Sequence, residues 1–481
     1  MRIALVILLT GVASLAHAEL NSINPAVKKV VDSVSEERIG QILKKLESFH
    51  TRNIFSEQDN PERGIGAARH WIYDQMKSYS PRLEVSFDTY KVKKRGRIVH
   101  DVELQNVVAV LPGKLNKDHH IIISGHYDSV ALNRPTGAPP AGSTDDPAGG
   151  GAGAGGGTNG GSGSDANRNV DPVEYDKRMS EQKAPGVTDD GSGTAAVMEL
   201  ARVMSQYEWD NTIVFIAFTA EEEGLIGSAL YARKAHKENE IIDAVLNNDI
   251  IGSEVSGDGR INNSSLLIFS DDPSDSPSRE LARYIKKIGE RYVPSMSVDL
   301  IFRQDRFGRG GDHISFNQEG YAAVRFTTPN ENFANQHTVT DTFENTSVSY
   351  TARVIQVNGA VAASLALAPK APIVTEPITR QGRTVITPMV TRGKTRYDAQ
   401  LKWKNPNPEE DLAGYIVTVR ATTSPYWERE IYVGNVTEYL MKDVPIDEFV
   451  FGIKAVDKDG NESLAAVYTT VPRQRLEIET Y

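Results

Sequence analysis

At 481 residues the chain is long enough for two or three domains, each with its own core. Charged residues make up 24% and hydrophobic ones 39%, which is too polar for a multi-span membrane protein, and the net charge of -11 lacks the basic footprint of a nucleic-acid binder. There is no cysteine, so disulfides and thiolate metal sites are excluded and any metal must be held by His, Asp or Glu.

Arg2 leads into a 13-residue apolar run, Ile3 to Leu15, followed by Ala16-His17-Ala18. That is the pattern of a secretory signal peptide over 1–18, too short to span a bilayer. It predicts an exported protein, secreted or periplasmic, with no stable membrane insertion after cleavage. Ser33-x-x-Glu36 predicts a capping box before Ile39, Ile42, Leu43 and Leu46, which recur at helical spacing. A second helix is expected around Ala67 to Ile72, then alternating strands near 83–92 and 102–111.

From there, short apolar strands alternate with helices: 120–124, 212–218, 244–247 and 322–327, with Val197, Leu200, Ala201 and Met204 on one helix face between the first two. This texture predicts an α/β domain with a largely parallel central sheet flanked by helices. Gly149 to Gly163 contains ten of the 39 glycines and cannot form a core, so 131–184 is expected to be a long insertion within the domain, partly covering a substrate entrance. Helical periodicity stops near Ala368-Pro-Lys-Ala-Pro372. The remainder, 371–481, alternates apolar and polar residues around Trp403, Tyr415 and Phe451, as in a β-sandwich.

Five loops carry the chemistry. His126-Tyr-Asp128 follows the strand at 120–124, Asp189-Asp190-Gly-Ser-Gly193 opens a helix, Glu221-Glu222-Glu223 follows Phe218, Asp249 follows Leu246-Asn-Asn248, and His337 precedes Asp341. Taken singly, each reads equally as a turn, a cap or a solvated loop. Together, His126, the glutamates and Asp249 fall at the carboxyl ends of predicted parallel strands, where open α/β sheets bind ligands. Two His and three carboxylates suit two zinc ions with open positions for hydrolysis.

The segments Ser-Gly-His126-Tyr-Asp128-Ser, Ala-Pro-Gly-Val-Thr-Asp189-Asp-Gly-Ser-Gly193, Ala-Glu221-Glu222-Glu-Gly-Leu-Ile-Gly-Ser228 and Leu-Asn-Asn-Asp249-Ile-Ile-Gly252 resemble the co-catalytic zinc aminopeptidase family, whose superfamily includes carboxypeptidase and glutaminyl cyclase branches. The resemblance implies the zinc-exopeptidase fold for the domain at 19–370 and two Zn²⁺ per chain. Asp189 would bridge the ions, His126 and Asp249 would complete one site, and Glu222 and His337 the other. It implies Glu221 as general base and Asp128 behind His126, orienting its ring. Peptides are then the substrates, with N-terminal residues removed. Carboxypeptidase or dipeptidase activity, glutaminyl cyclisation, which in that branch uses a single zinc, and a non-catalytic surface-binding role are the alternatives. Asp190 and Glu223 gain no role. The chain departs from the family pattern at Gln336, where the family often has a Tyr able to support an oxyanion, and at Gly311, where Ser usually precedes the Asp312-His313 pair. Arg303 and Arg309 lie close by in sequence. The C-terminal part resembles a fibronectin type III module through Trp403, Tyr415 and Ala455 to Ser463, and its partner is not indicated.

Overall fold

The computed structural model describes residues 23–132, 171–271, 273–303, 310–380, 383–407 and 411–469. The expected signal peptide, the glycine run and Arg309 lie outside the described residues. The described residues divide into two compact units, one within Pro25–Leu367 and a second from Ala368 onward.

In the larger unit, helix α1 spans Pro25–Ser33 and α2 spans Glu36–Ser48. The cap of α2 is Ser35 rather than Ser33, because Ser33 closes α1; the Ser35 hydroxyl accepts from Arg38 N. The backbone N–H of Ser35 donates instead to the buried carboxylate of Glu199, from a distant helix. Ile39, Ile42, Leu43 and Leu46 are all buried, as their spacing predicts. Helix α3 (Gly64–Tyr79) precedes the hairpin β1 (Glu84–Val92) and β2 (Val102–Leu111).

The remaining strands of this unit are β3 (Asn116–His126), β4 (Asn211–Phe218), β5 (Ile241–Asn248), β6 (Ser265–Ser270), β7 (Ser297–Ile301) and β8 (Ala323–Thr327). They form one eight-stranded sheet in the order β1-β2-β4-β3-β5-β8-β6-β7. The central strip β4-β3-β5-β8 is parallel, while β2 joins β4 antiparallel, β1 pairs antiparallel with β2, and β6 runs antiparallel to β8. The sheet is therefore mixed. Helix α4 (Pro172–Glu181), capped by Asp171, forms the return limb of the long insertion. Helices α5 (Ser192–Met204), α6 (Ile226–Glu238), α7 (Pro277–Tyr292), α8 (His313–Gln318) and α9 (Val348–Leu367) complete the unit. Ile122, Val214, Ile216 and Phe218 pack on Ala232, Ala235 and Phe316 from α6 and α8. Val197, Leu200, Ala201 and Met204 of α5 are fully buried. Burying both faces explains why the central strands are continuously apolar. Among the described residues no helix is long and apolar enough to cross a membrane.

The smaller unit is all strand: β9 (Thr375–Arg380) with β10 (Arg383–Pro388), then β11 (Val390–Thr391), β12 (Ala399–Lys402), β13 (Leu412–Ala421), β14 (Arg429–Gly434), β15 (Glu438–Met441), β16 (Phe449–Asp457) and β17 (Ala466–Val467). Sheets β11-β12-β15 and β14-β13-β16-β17 share one core, containing Leu401 and Met441 from the first and Tyr415, Val417, Phe451 and Ile453 from the second. Two sheets with a common apolar interior make a sandwich. Trp403 packs edge-on against Tyr415, with ring centroids 5.4 Å apart.

Candidate metal centre

The parallel strip ends in four loops on one edge of the sheet, and those after β3, β4 and β8 deliver polar side chains to the same place. His126 is the last residue of β3; Glu221 and Glu222 follow β4; Asp249 follows β5. Asp189 comes from the turn before α5, where the Asp189–Asp190 peptide is cis. His337 arrives in the loop after β8.

His126, Asp189 and Glu222 each offer a ligand atom within 4.8 Å of the others. His126 Nε2 lies 3.3 Å from Asp189 Oδ1, and His337 Nε2 lies 2.9 Å from Asp189 Oδ2 and 3.1 Å from Glu222 Oε1. The four residues therefore surround a single small space with Asp189 between the imidazoles. Asp249 stands apart from this cluster: its Oδ2 meets Arg325 Nε of β8 at 3.2 Å, in a pair that is almost wholly buried. Glu221 Oε2 is 4.0 Å from His126 Nε2.

Three further aspartates hold the loops in register. The Asp190 carboxylate accepts from the backbone N–H of His126 (3.1 Å), Gly193 (2.9 Å) and Ile250 (3.2 Å), tying three site loops together. Gly193 must be glycine, since a Cβ there would stand 2.2 Å from Asp190 Oδ2. Asp128 accepts from Glu221 N and Glu222 N, and its Oδ1 lies 3.5 Å from His126 Nδ1. Asp341 accepts from Thr188 N at 2.9 Å and Asp189 N at 3.0 Å. Ala220, Ile250 and His337 have φ of 56°, 60° and 55°. Left-handed backbone at a β-branched residue is costly, and such strain gathers at functional sites.

Electrostatically the site is crowded with acids. Burial alone would raise the Asp189 carboxyl, but the imidazoles of His126 and His337 beside it hold it well below its ordinary range. Burial works against the His126 imidazolium, and Asp128, Asp189 and Glu221 outweigh it, raising the ring well above its usual value. Glu221 is raised well above the carboxylate range by burial and by Asp249, Glu222 and Asp312, against the pull of His126. Burial also pushes the Asp312 carboxyl up to about 7.

The chain is 34% identical over 479 residues to a probable zinc metalloprotease of Pyricularia oryzae, covering 92% of this chain and 84% of the relative. A probable zinc metalloprotease of Leptosphaeria maculans is 31% identical, with 92% and 96% covered. The profile of Peptidase family M28 matches residues 170–362. The chain belongs to peptidase family M28. It is a zinc metallopeptidase of the zinc exopeptidase superfamily. The Legionella pneumophila LapA aminopeptidase aligns with it at a TM-score of 0.49 and 20% identity, covering 71% of this chain and 74% of that one. An aminopeptidase of Aneurinibacillus sp. strain AM-1 aligns at 0.48 and 17%, covering 73% and 98%.

The donor set of this M28 peptidase fits zinc. His126 Nε2 and Glu222 Oε1 are buried without a hydrogen-bond partner, and buried polar atoms of that kind are normally satisfied. Imidazole and carboxylate are zinc donors, and a divalent cation would offset the mutual repulsion of the acids.

Four residues of the site are not assigned by the sequence. Asp190 reads there as an N-cap. Arg325 could have been noticed as a charge inside an otherwise apolar strand. Gln336 donates from Nε2 to Asp189 Oδ2 at 2.8 Å. Arg52 is fully buried and donates to the carbonyls of Leu46 (3.2 Å), Tyr127 (2.6 Å), Pro185 (2.5 Å) and Gly186 (2.7 Å). Nothing local in the sequence around Arg52 marks it.

Proposed function

We propose that the protein is an exported exopeptidase that removes N-terminal residues from peptides, with Asp189 shared between two zinc positions, Glu222 and His337 at one and His126 and Asp249 at the other. The position of Glu221 carries this reading. It is the neighbour of Glu222 in sequence, yet it sits at the rim of the metal cluster with its proton affinity raised by burial. That suits a group that takes a proton from water and returns it to a leaving amine. Bound zinc would supply polarisation of the scissile carbonyl and a water of lowered pKa. The chain's own part is then positional: Asp128 fixes both glutamates through their backbone N–H groups and steadies the His126 ring. Asp190 and Asp341 keep the His126, Asp189 and Asp249 loops at a fixed spacing. The surplus of buried carboxylates favours a substrate presenting a free ammonium group over one presenting a terminal carboxylate. The C-terminal sandwich is proposed as a fibronectin type III-like appendage without catalytic groups.

The pairing of Asp249 with Arg325 favours a second reading, a one-zinc centre of the kind the glutaminyl cyclase branch implies. A panel of aminoacyl-nitroanilides, N-blocked peptides and N-terminal glutaminyl peptides, run with and without chelator and with zinc counted, separates the two. Two zinc ions and cleavage restricted to free-amino substrates are expected. Release of C-terminal residues from blocked peptides, or cyclisation with a single zinc, would overturn the aminopeptidase reading.

A further inference from the structure

Gln336 occupies the position from which the resemblance leads one to expect an oxyanion donor, and the structure gives its amide a different task. The side chain is 7% exposed. Its loop is pinned by Gln336 N donating to Asn332 O, by Leu132 N donating to His337 O, and by Asp341 gripping the Asp189 backbone. Nε2 donates to Asp189 Oδ2 at 2.8 Å. An ionised carboxylate only accepts hydrogen bonds, so the nitrogen must face it and the amide orientation is fixed. Oε1 is then left buried with no hydrogen-bond partner. Amide geometry places Oε1 about 2.2 Å from Nε2, hence within about 5 Å of the Asp189 carboxylate.

A buried amide oxygen normally has a donor. The groups set against the Asp189 side chain supply none to this one: Glu222 is an acceptor, His337 Nε2 lies between Asp189 Oδ2 and Glu222 Oε1, and His126 Nε2 faces the other Asp189 oxygen, Oδ1. A bound substrate can bring one. A carbonyl oxygen or an oxyanion would be repelled by Oε1, whereas an α-amino group brings several N–H donors into an acid-rich site.

We infer that Gln336 is a specificity-determining residue whose side-chain oxygen accepts a hydrogen bond from the free α-amino group of the substrate. The inference rests on the aminopeptidase reading. The two can fail separately: a wild-type protein that cleaves N-acetylated peptides as readily as free ones defeats that reading before any variant is made.

The test compares two inhibitors of the zinc-loaded full chain: the amino alcohol matching the preferred N-terminal residue, and the same alcohol without its amine. In Gln336→Met the amino alcohol should bind on the order of 10- to 100-fold more weakly, the loss expected for one hydrogen bond to a charged group, while the plain alcohol changes less than about twofold. KM for free-amino substrates should rise more than kcat falls. Gln336→Glu keeps an acceptor oxygen and should restore the preference for the amine when assayed at saturating zinc. Equal weakening of both alcohols, unchanged binding of the amino alcohol, or a loss confined to kcat would overturn the inference. Loss of zinc from both variants at saturating metal would likewise overturn it, assigning Gln336 to Asp189 alone.

Discussion

Replacing Arg52 with Met tests whether the metal loops are held by one buried cation. Burial lowers the Arg52 pKa to about 10, with Asp341, Asp128, Asp190 and Asp189 pulling the other way. It stays charged at neutral pH, but burying the charged guanidinium costs about 3 kcal/mol more than burying its neutral form. Against this stand its bonds to four carbonyls from three segments: the end of α2, the turn after His126, and the approach to Asp189. At about 1.5 kcal/mol or more for each bond to a charged donor, they contribute about 6 kcal/mol. Met fills much of the same volume but donates nothing, so a net loss of about 3 kcal/mol is expected. In a unit of this size that corresponds to a fall in Tm of roughly 4 to 5 °C. Because Tyr127 and Gly186 flank His126 and Asp189, zinc affinity should also drop, by about 10- to 100-fold as for other groups that orient ligands. Calorimetry of the zinc-loaded protein and chelator competition read the two effects. Tm within about 2 °C of wild type together with zinc affinity within about twofold would refute the clamp. Arg52→Lys should fall between, since an ammonium lacks the planar fork that reaches carbonyls on three sides.

Glu221→Gln should retain zinc by elemental analysis and lose about 10²- to 10⁴-fold in kcat, the usual worth of a positioned base; near-normal turnover would remove the proton-transfer role. Stripping zinc leaves the carboxylates uncompensated, so Tm should fall and return on adding zinc, by about 4 kcal/mol of stability at a thousandfold excess over Kd. A Tm indifferent to metal would place the ions elsewhere. In the smaller unit, burial pushes the Asp457 carboxyl up to about 6 despite bonds from Asn461 and Asp459. Its folded pKa lies above the unfolded one, so its contribution to stability is present below the unfolded pKa and is lost as pH rises through about 6. Urea midpoints of this unit at acid and neutral pH, compared between wild type and Asp457→Asn, should show a weaker pH dependence in the variant.

The helices and strands most legible in the sequence are those whose burial pattern is local. Ile39 to Leu46, Val197 to Met204 and the apolar strands around Ile122 and Ile216 announce their faces by spacing alone. So do the candidate ligands, because strand ends and short motifs place His126, Asp189, Glu222 and Asp249 within a few residues of elements that periodicity already locates. The cap of α2 is a counterexample: Ser35 takes the place expected of Ser33, and its N–H is held by Glu199, more than 160 residues away. The antiparallel flank of the sheet was not legible for the same reason, since pairing partners are set by packing between distant segments.

What the sequence determines by itself is thus the inventory: which segments are apolar on one face, which carboxylates and imidazoles stand at strand ends, and that no thiolate can take part. Tertiary structure alone decides what each of those groups touches. It directs Asp249 toward Arg325, turns the Gln336 amide onto Asp189, and sets Arg52 among carbonyls from three separate segments. Hydrogen bonds and ion pairs are fixed to tenths of an ångström by the folded backbone, and residue type and chain spacing carry no information at that scale between segments far apart in sequence.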